Sequence, residues 1–169
     1  MTHLDRLWIE GHIPHHGGMC LLEEVLDWDA SGVRCATTTH RALHNPLRGF
    51  GRLGSACGVE YAAQAMAVHG ALVASASGVA ARRGLLASVR GVELHVERLD
   101  DVDESLVASV ERLASDDQTA LYQFTLRAVE SSALRVAGSG LPAQGRLLVS
   151  GRAAIAFSPG EPNNATRKI

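Results

Sequence analysis

The chain has 169 residues, 46% of them hydrophobic and 20% charged, with a formal net charge of −2 and a pI near 6.4. That length gives one ordinary domain with its own core, and the slightly acidic balance argues against nucleic acid as the main partner. No apolar run approaches the ~20 residues that a bilayer span requires, and three scattered cysteines (Cys20, Cys35 and Cys57) read as reduced thiols of a cytoplasmic protein, with no zinc-site spacing.

The opening segment, "MTHLDRLWIEGHIPHH", carries acids and lacks an apolar h-region, so it does not read as a signal peptide. His12, His15 and His16 have no carboxylate or cysteine at ligand spacing, and no metal is expected there. "CLLEEVLDW" is apolar with acidic interruptions and runs into a "DASG" turn. "VRCATTT" is β-branched and alternating, which predicts a strand with Val33, Cys35, Thr37 and Thr39 on one face.

Ser55 to about Ser77 is rich in alanine, introduced by "RGFGRLG", and predicts a long helix. Glu60 is out of place on it, because an unpartnered carboxylate among small apolar residues costs several kcal/mol or shifts toward its neutral form. After "ARRG" the pattern turns to period two. Val92, Leu94 and Val96 oppose Glu93, His95 and Glu97 in a half-buried strand. "SLVASVERLA", a "SDDQ" turn and "TALYQFTLRAV" predict a hairpin with Tyr122, Phe124 and Leu126 inward. "GRLLVSGRAAIAF" predicts a last strand with Leu147, Val149, Ile155 and Phe157 in phase, and residues 159–169 read as a loose tail after a single domain over 1–158.

A lone long helix among consecutive antiparallel strands implies α+β architecture, the helix packed on one sheet face. Alanine along the helix suits a curved sheet wrapped tightly around it, which is the hot-dog arrangement. Periodicity alone also allows other one-helix α+β folds.

"IPHHGGMCLLEEVLDWD" is similar to the "PHR-x-PFLL-x-DRV" opening of bacterial 3-hydroxyacyl-acyl-carrier-protein dehydratases. "GVEYAAQAM" resembles their helix motif, with the acid followed four residues later by glutamine, as Glu60 and Gln64. "HNPLR…GRLGSACGVEYAAQAMAVHG" resembles the dehydratase-like hot-dog proteins of aryl polyene lipid pathways more closely still. The resemblance spans about residues 8 to 157. It implies elimination of water from a 3-hydroxyacyl thioester held on the phosphopantetheine arm of acyl carrier protein, with no other cofactor. It assigns the base to His44 and the acid to Glu60, residues that usually come from different subunits of a dimer in this fold.

Histidine suits the base because its ordinary pKa lies near neutrality, and a carboxylic acid suits the second role when burial keeps it protonated. Ser55, with Gly54 beside it, stands where a backbone N–H would polarise the thioester carbonyl at the helix start. Gln64, one turn past Glu60, is placed to orient its carboxyl. Acyl carriers are acidic, which makes Arg48, Arg52, Arg82 and Arg83 candidates for contact with one. His40 rivals His44, His69 reads as structural, and Cys57 reads as a small buried residue rather than a nucleophile. Two features depart from the fatty-acid dehydratases: the loop between His44 and Glu60 is longer, and "GS" replaces the "PG" that opens their helix. A thioesterase on the same fold, or a non-catalytic subunit supporting an active partner, are the competing readings. Assembly as a homodimer or with a second dehydratase subunit is expected, since the fold leaves a sheet edge open.

Overall fold

Helix α2, Gly58–Ala76, is the axis on which the chain is built. The computed structural model describes residues 4–134 and 145–158, so the tail expected over 159–169 lies outside the described residues. In chain order the elements are α1 (Arg6–His12), β1 (Glu24–Trp28), β2 (Gly32–Thr37), α2, β3 (Gly84–Leu94), β4 (Ser105–Ser115), β5 (Thr119–Val129), a single turn α3 (Ser131–Leu134) and β6 (Arg146–Phe157). The strands form one six-stranded antiparallel sheet in the order β1-β2-β4-β5-β6-β3, and α2 packs on β2, β4, β5 and β6. The α+β reading and the single helix wrapped by a sheet are both realised.

Close approach explains the small residues of α2. A Cβ added at Gly58 would stand 2.9 Å from Val149 Cγ2 and 3.0 Å from Leu126 Cδ2, so the helix start lies almost against β5 and β6. Ala62 and Ala65 are fully buried, and the facing strands supply the bulk through Phe124, Leu126 and Leu148. The β4–β5 hairpin follows its sequence pattern, with Tyr122, Phe124 and Leu126 inward. Val33, Cys35 and Thr37 likewise share the inner face of β2, while Thr39 lies beyond the strand in a short 3-10 turn.

Three expectations need correction. The α1 helix was not anticipated; Asp5 caps it by accepting from Trp8 N–H at 3.0 Å, and Ile9 plugs it into the core. The strand read around Val92–Val96 begins at Gly84 and ends at Leu94, which is 48% exposed, because β3 is an edge strand with little covering it. A glycine in the left-handed region (Gly91, φ 57°) and a register shift between Arg90 and Glu93 break its alternation. On β6, Leu148 is the buried residue beside Val149, since a shift opposite Leu126 and Arg127 inserts an extra residue and removes Leu147 from the inner phase.

His69, expected to be structural, is a fully buried bridge from α2 to the hairpin. Its Nε2 donates to the Asp29 carbonyl at 3.1 Å, which leaves Nδ1 to accept from the Tyr122 hydroxyl at 2.9 Å. Burial pushes this imidazole below its ordinary value near 6.5, against the opposing pull of the Asp29 carbonyl. Burial does the same to His40, whose Nε2 donates to the Val102 carbonyl at 2.9 Å. A histidine depressed in the folded state stabilises fully above its unfolded pKa, and that contribution is lost as pH falls below it. Thermal unfolding is therefore expected at a lower temperature at about pH 5.5 than at about pH 7.5, and His69→Gln should reduce that difference.

Candidate active site

The first turn of α2 presents Glu60 to a cavity of about 730 Å³ whose walls include His15, Met66, Ala67, Leu86 and Tyr122. One turn on, Gln64 is completely buried. Its Oε1 accepts from Leu21 N–H at 2.9 Å, which fixes the amide so that Nε2 donates to the Met19 carbonyl at 2.9 Å and to Glu60 Oε1 at 3.0 Å. The four-residue spacing read from the sequence thus becomes a clamp on the carboxyl. A second partner comes from outside the helix, with His15 Nε2 3.2 Å from the same Glu60 Oε1. Glu60 is neither lone nor sealed off within one chain; its side chain keeps 31% of its exposure.

The segment that carries Gln64's partners is pinned from the other side. The Leu21 carbonyl accepts from the hydroxyls of Thr37 and Thr39, at 2.5 Å and 2.7 Å. These contacts hold the 19–22 stretch between β2 and α2, and His15 is delivered by the loop between α1 and that stretch.

Adjacent residues on a helix point about 100° apart, so Tyr61 points to a different face from the one that holds Glu60. Tyr61 belongs instead to the loop over residues 39–53. Asn45 Nδ2 donates to its hydroxyl at 2.9 Å and to the Thr39 carbonyl at 2.9 Å, while Asn45 Oδ1 accepts from Leu47 N–H at 2.9 Å. With Asn45 turned inward, its neighbour His44 is turned out. His44 is exposed and does not line the cavity that holds Glu60. Leu43 and Phe50, 88% and 109% exposed, project from the same loop, and Phe50 is held in the left-handed region at φ 52°.

The loop is anchored at its far end by Asp100, whose side chain keeps only 3% of its exposure. Oδ1 accepts from Leu53 N–H at 2.9 Å and Oδ2 from Arg48 Nη1 at 3.1 Å, with Arg98 engaging both oxygens. The Arg98 guanidinium, assisted by the Leu53 amide, holds this carboxyl well below the usual range. Arg48 also donates to the Ala42 carbonyl at 2.9 Å. The structure therefore places Arg48, read as a carrier contact, inside the loop's framework. Arg52 and Arg83 are exposed; Arg82 donates to the Asp117 carbonyl and lies 4.4 Å over the Phe157 ring.

Ser55 N–H donates to the Glu97 carbonyl at 3.1 Å and Ser55 is buried, so within one chain this amide is already engaged. Gly54 bridges to Arg98 beside it. Cys57 Sγ donates to the Leu47 carbonyl at 3.7 Å and burial raises its thiol, as burial raises those of Cys20 and Cys35. His40 is consumed by the Val102 carbonyl, and His12 stacks on Trp8 with centroids 4.0 Å apart. The resemblance puts the "PHH" motif at the pocket entrance, but the sequence reading gave its first histidine, His15, no role toward Glu60; only the path of the chain after α1 brings the two together.

A long helix embraced by one antiparallel sheet, with an acid on its first turn over a cavity of about 730 Å³, defines a hot-dog protein. The chain belongs to the ApeP-like family, described as ApeP dehydratase, whose model matches residues 7–150. Among solved structures it is similar to the dehydratase heterocomplex ApeI:P from Xenorhabdus doucetiae, at 21% identity over 94% of each chain with a TM-score of 0.74. It is also similar to a thioesterase family protein from Silicibacter pomeroyi, at 12% identity over 81% of this chain and 85% of that one, TM-score 0.53. The PaaI protein of the E. coli phenylacetic acid degradation operon matches at 13% identity over 78% and 80%, TM-score 0.50. No curated protein sequence matches the chain.

Two stability tests follow from the clamp and the anchor. Gln64→Leu leaves Leu21 N–H buried without an acceptor and should cost about 1–3 kcal/mol in denaturant unfolding. Asp100→Asn removes the charge that both arginines share; it should cost about 2 kcal/mol and speed proteolytic cleavage within residues 41–53, with residues 19–22 unaffected.

Proposed function

We propose that the chain works in the cytoplasm as a dehydratase of an aryl polyene pathway, converting 3-hydroxyacyl thioesters on acyl carrier protein to trans-2-enoyl thioesters. The observation that carries this reading is the Glu60 carboxyl, clamped by Gln64 at the wall of a largely apolar cavity, in a member of a dehydratase family. In the reaction a base removes the C2 proton, the C2–C3 double bond forms, and the C3–O bond breaks as Glu60 protonates the departing oxygen, giving water. No cofactor is needed beyond the phosphopantetheine that presents the substrate.

His44 is the proposed base. Its loop packs on the Tyr61 side of α2 and leaves the imidazole outside the cavity of its own chain. This supports a site completed between two chains: His44 of one chain meets the carboxyl of another. The surface is suited to it, with Leu43 and Phe50 exposed on the loop and Leu85, Leu86 and Val89 exposed on the edge strand β3. The similar ApeI:P structure is a heterocomplex, which supports a second, different hot-dog subunit as the partner. The same observation favours a second reading, in which this chain chiefly supports the catalytic centre of that partner.

Mass spectrometry of a 3-hydroxyacyl carrier thioester, incubated with the chain alone and with a second dehydratase subunit, separates these readings. Loss of water is expected, and Glu60→Gln and His44→Ala should each slow it by about 10²-fold or more. Release of the free acid would replace the dehydratase with a thioesterase, and undiminished dehydration by the Glu60 and His44 variants in the complex would reduce this chain to support.

A further inference from the structure

We propose that His15 is a positioning residue for Glu60, donating from Nε2 to Oε1 so that Oε2 is the oxygen that meets the substrate. The inference rests on the dehydratase reading and adds to it a residue outside the His44–Glu60 pair.

The argument is one of donors and acceptors. His15 Nδ1 is buried and has no hydrogen-bond partner, whereas Nε2 lies 3.2 Å from Glu60 Oε1. A proton on Nδ1 would be a buried donor with nothing to receive it, and it would turn the bare Nε2 lone pair onto a carboxylate oxygen. The neutral ring therefore carries its proton on Nε2, facing the carboxyl. Gln64 has no freedom to do otherwise than donate, since Leu21 N–H and the Met19 carbonyl fix which end of its amide is which. Two donors thus converge on Oε1.

It follows that any proton carried by Glu60 resides on Oε2. That oxygen, not Oε1, is free to reach the C3 hydroxyl, so the clamp selects both the oxygen and the direction of proton delivery. Holding a reacting group in one geometry acts on the chemical step more than on binding. The two donors come from α2 and from the loop after α1, and the 19–21 segment locks the first of them, so separate pieces of the chain hold the carboxyl.

The test compares His15→Leu and His15→Gln in the dehydrating complex. Glutamine places an amide donor where Nε2 stands; leucine has none. His15→Leu should lower kcat about tenfold or more with KM within about twofold, and His15→Gln should recover most of the loss. Equal loss in both variants, or a change confined to KM, would overturn the proposal. Side-chain 15N spectra of the wild-type chain, assigned by comparison with His15→Gln, provide a readout that needs no turnover. A proton on Nε2 whose resonance moves in Glu60→Gln supports the contact; a proton on Nδ1 overturns it. Absence of dehydration by the wild-type complex would instead strike the dehydratase reading, and the spectra would still decide the placement of His15.

Discussion

One buried amide organises the Glu60 end of this molecule. Gln64 accepts from Leu21, donates to Met19 and donates to Glu60, so a single side chain joins the central helix, the segment leading into β1 and the carboxyl. Its four bonding positions are nearly all used, and a satisfied buried amide is as restrictive as an unsatisfied one is costly. The rest of the site inherits its geometry from this point. The 19–22 segment cannot shift without unpairing Gln64, and the loop that delivers His15 ends at that segment.

A second, independent anchor governs the loop that carries His44. Asp100 collects Leu53 N–H, Arg48 and Arg98, and Asn45 collects Tyr61, the Thr39 carbonyl and Leu47 N–H. Between them they make a well-defined platform of a stretch with almost no regular structure. The platform turns His44, Leu43 and Phe50 outward together. Exposed apolar side chains on an ordered loop are a different matter from exposed apolar side chains on a frayed one, because the entropy of holding them has already been spent in folding.

What was legible in the sequence follows the range of the interaction. Glu60 and Gln64 stand four apart on a helix, a local relation that periodicity reveals, and Tyr122, Phe124 and Leu126 alternate on a hairpin that is itself local. His15 reaches Glu60 across forty-five positions of chain, and nothing in "IPHHGG" distinguishes a histidine that folds back from one at a cavity mouth. Arg48 looked like free positive charge because Asp100, fifty-two positions on, has no visible relation to it in one dimension. The start of β3 escaped notice for a different reason: an uncovered edge strand has no inside face to imprint an alternation. The extra residue at Leu148 likewise belongs to the partner strand's register rather than to its own pattern.

Under the proposed function, the exposure left on Glu60 ties assembly to chemistry. A carboxyl that donates a proton does so best where water is excluded, and at 31% exposure that condition is unmet in one chain. Leu85 and Leu86 of β3 are 72% and 41% exposed, and they also line the Glu60 cavity. A second hot-dog chain pairing along β3 would cover those leucines, close that flank of the cavity and lower the dielectric around the carboxyl in one event. The His44 loop is held on a different face of α2 by the Tyr61 and Asn45 bonds, and it leaves the imidazole outside the cavity of its own chain. Under the proposed function, the apolar edge and the outward histidine are therefore two consequences of one design: a rigid half-site whose missing half arrives with the partner.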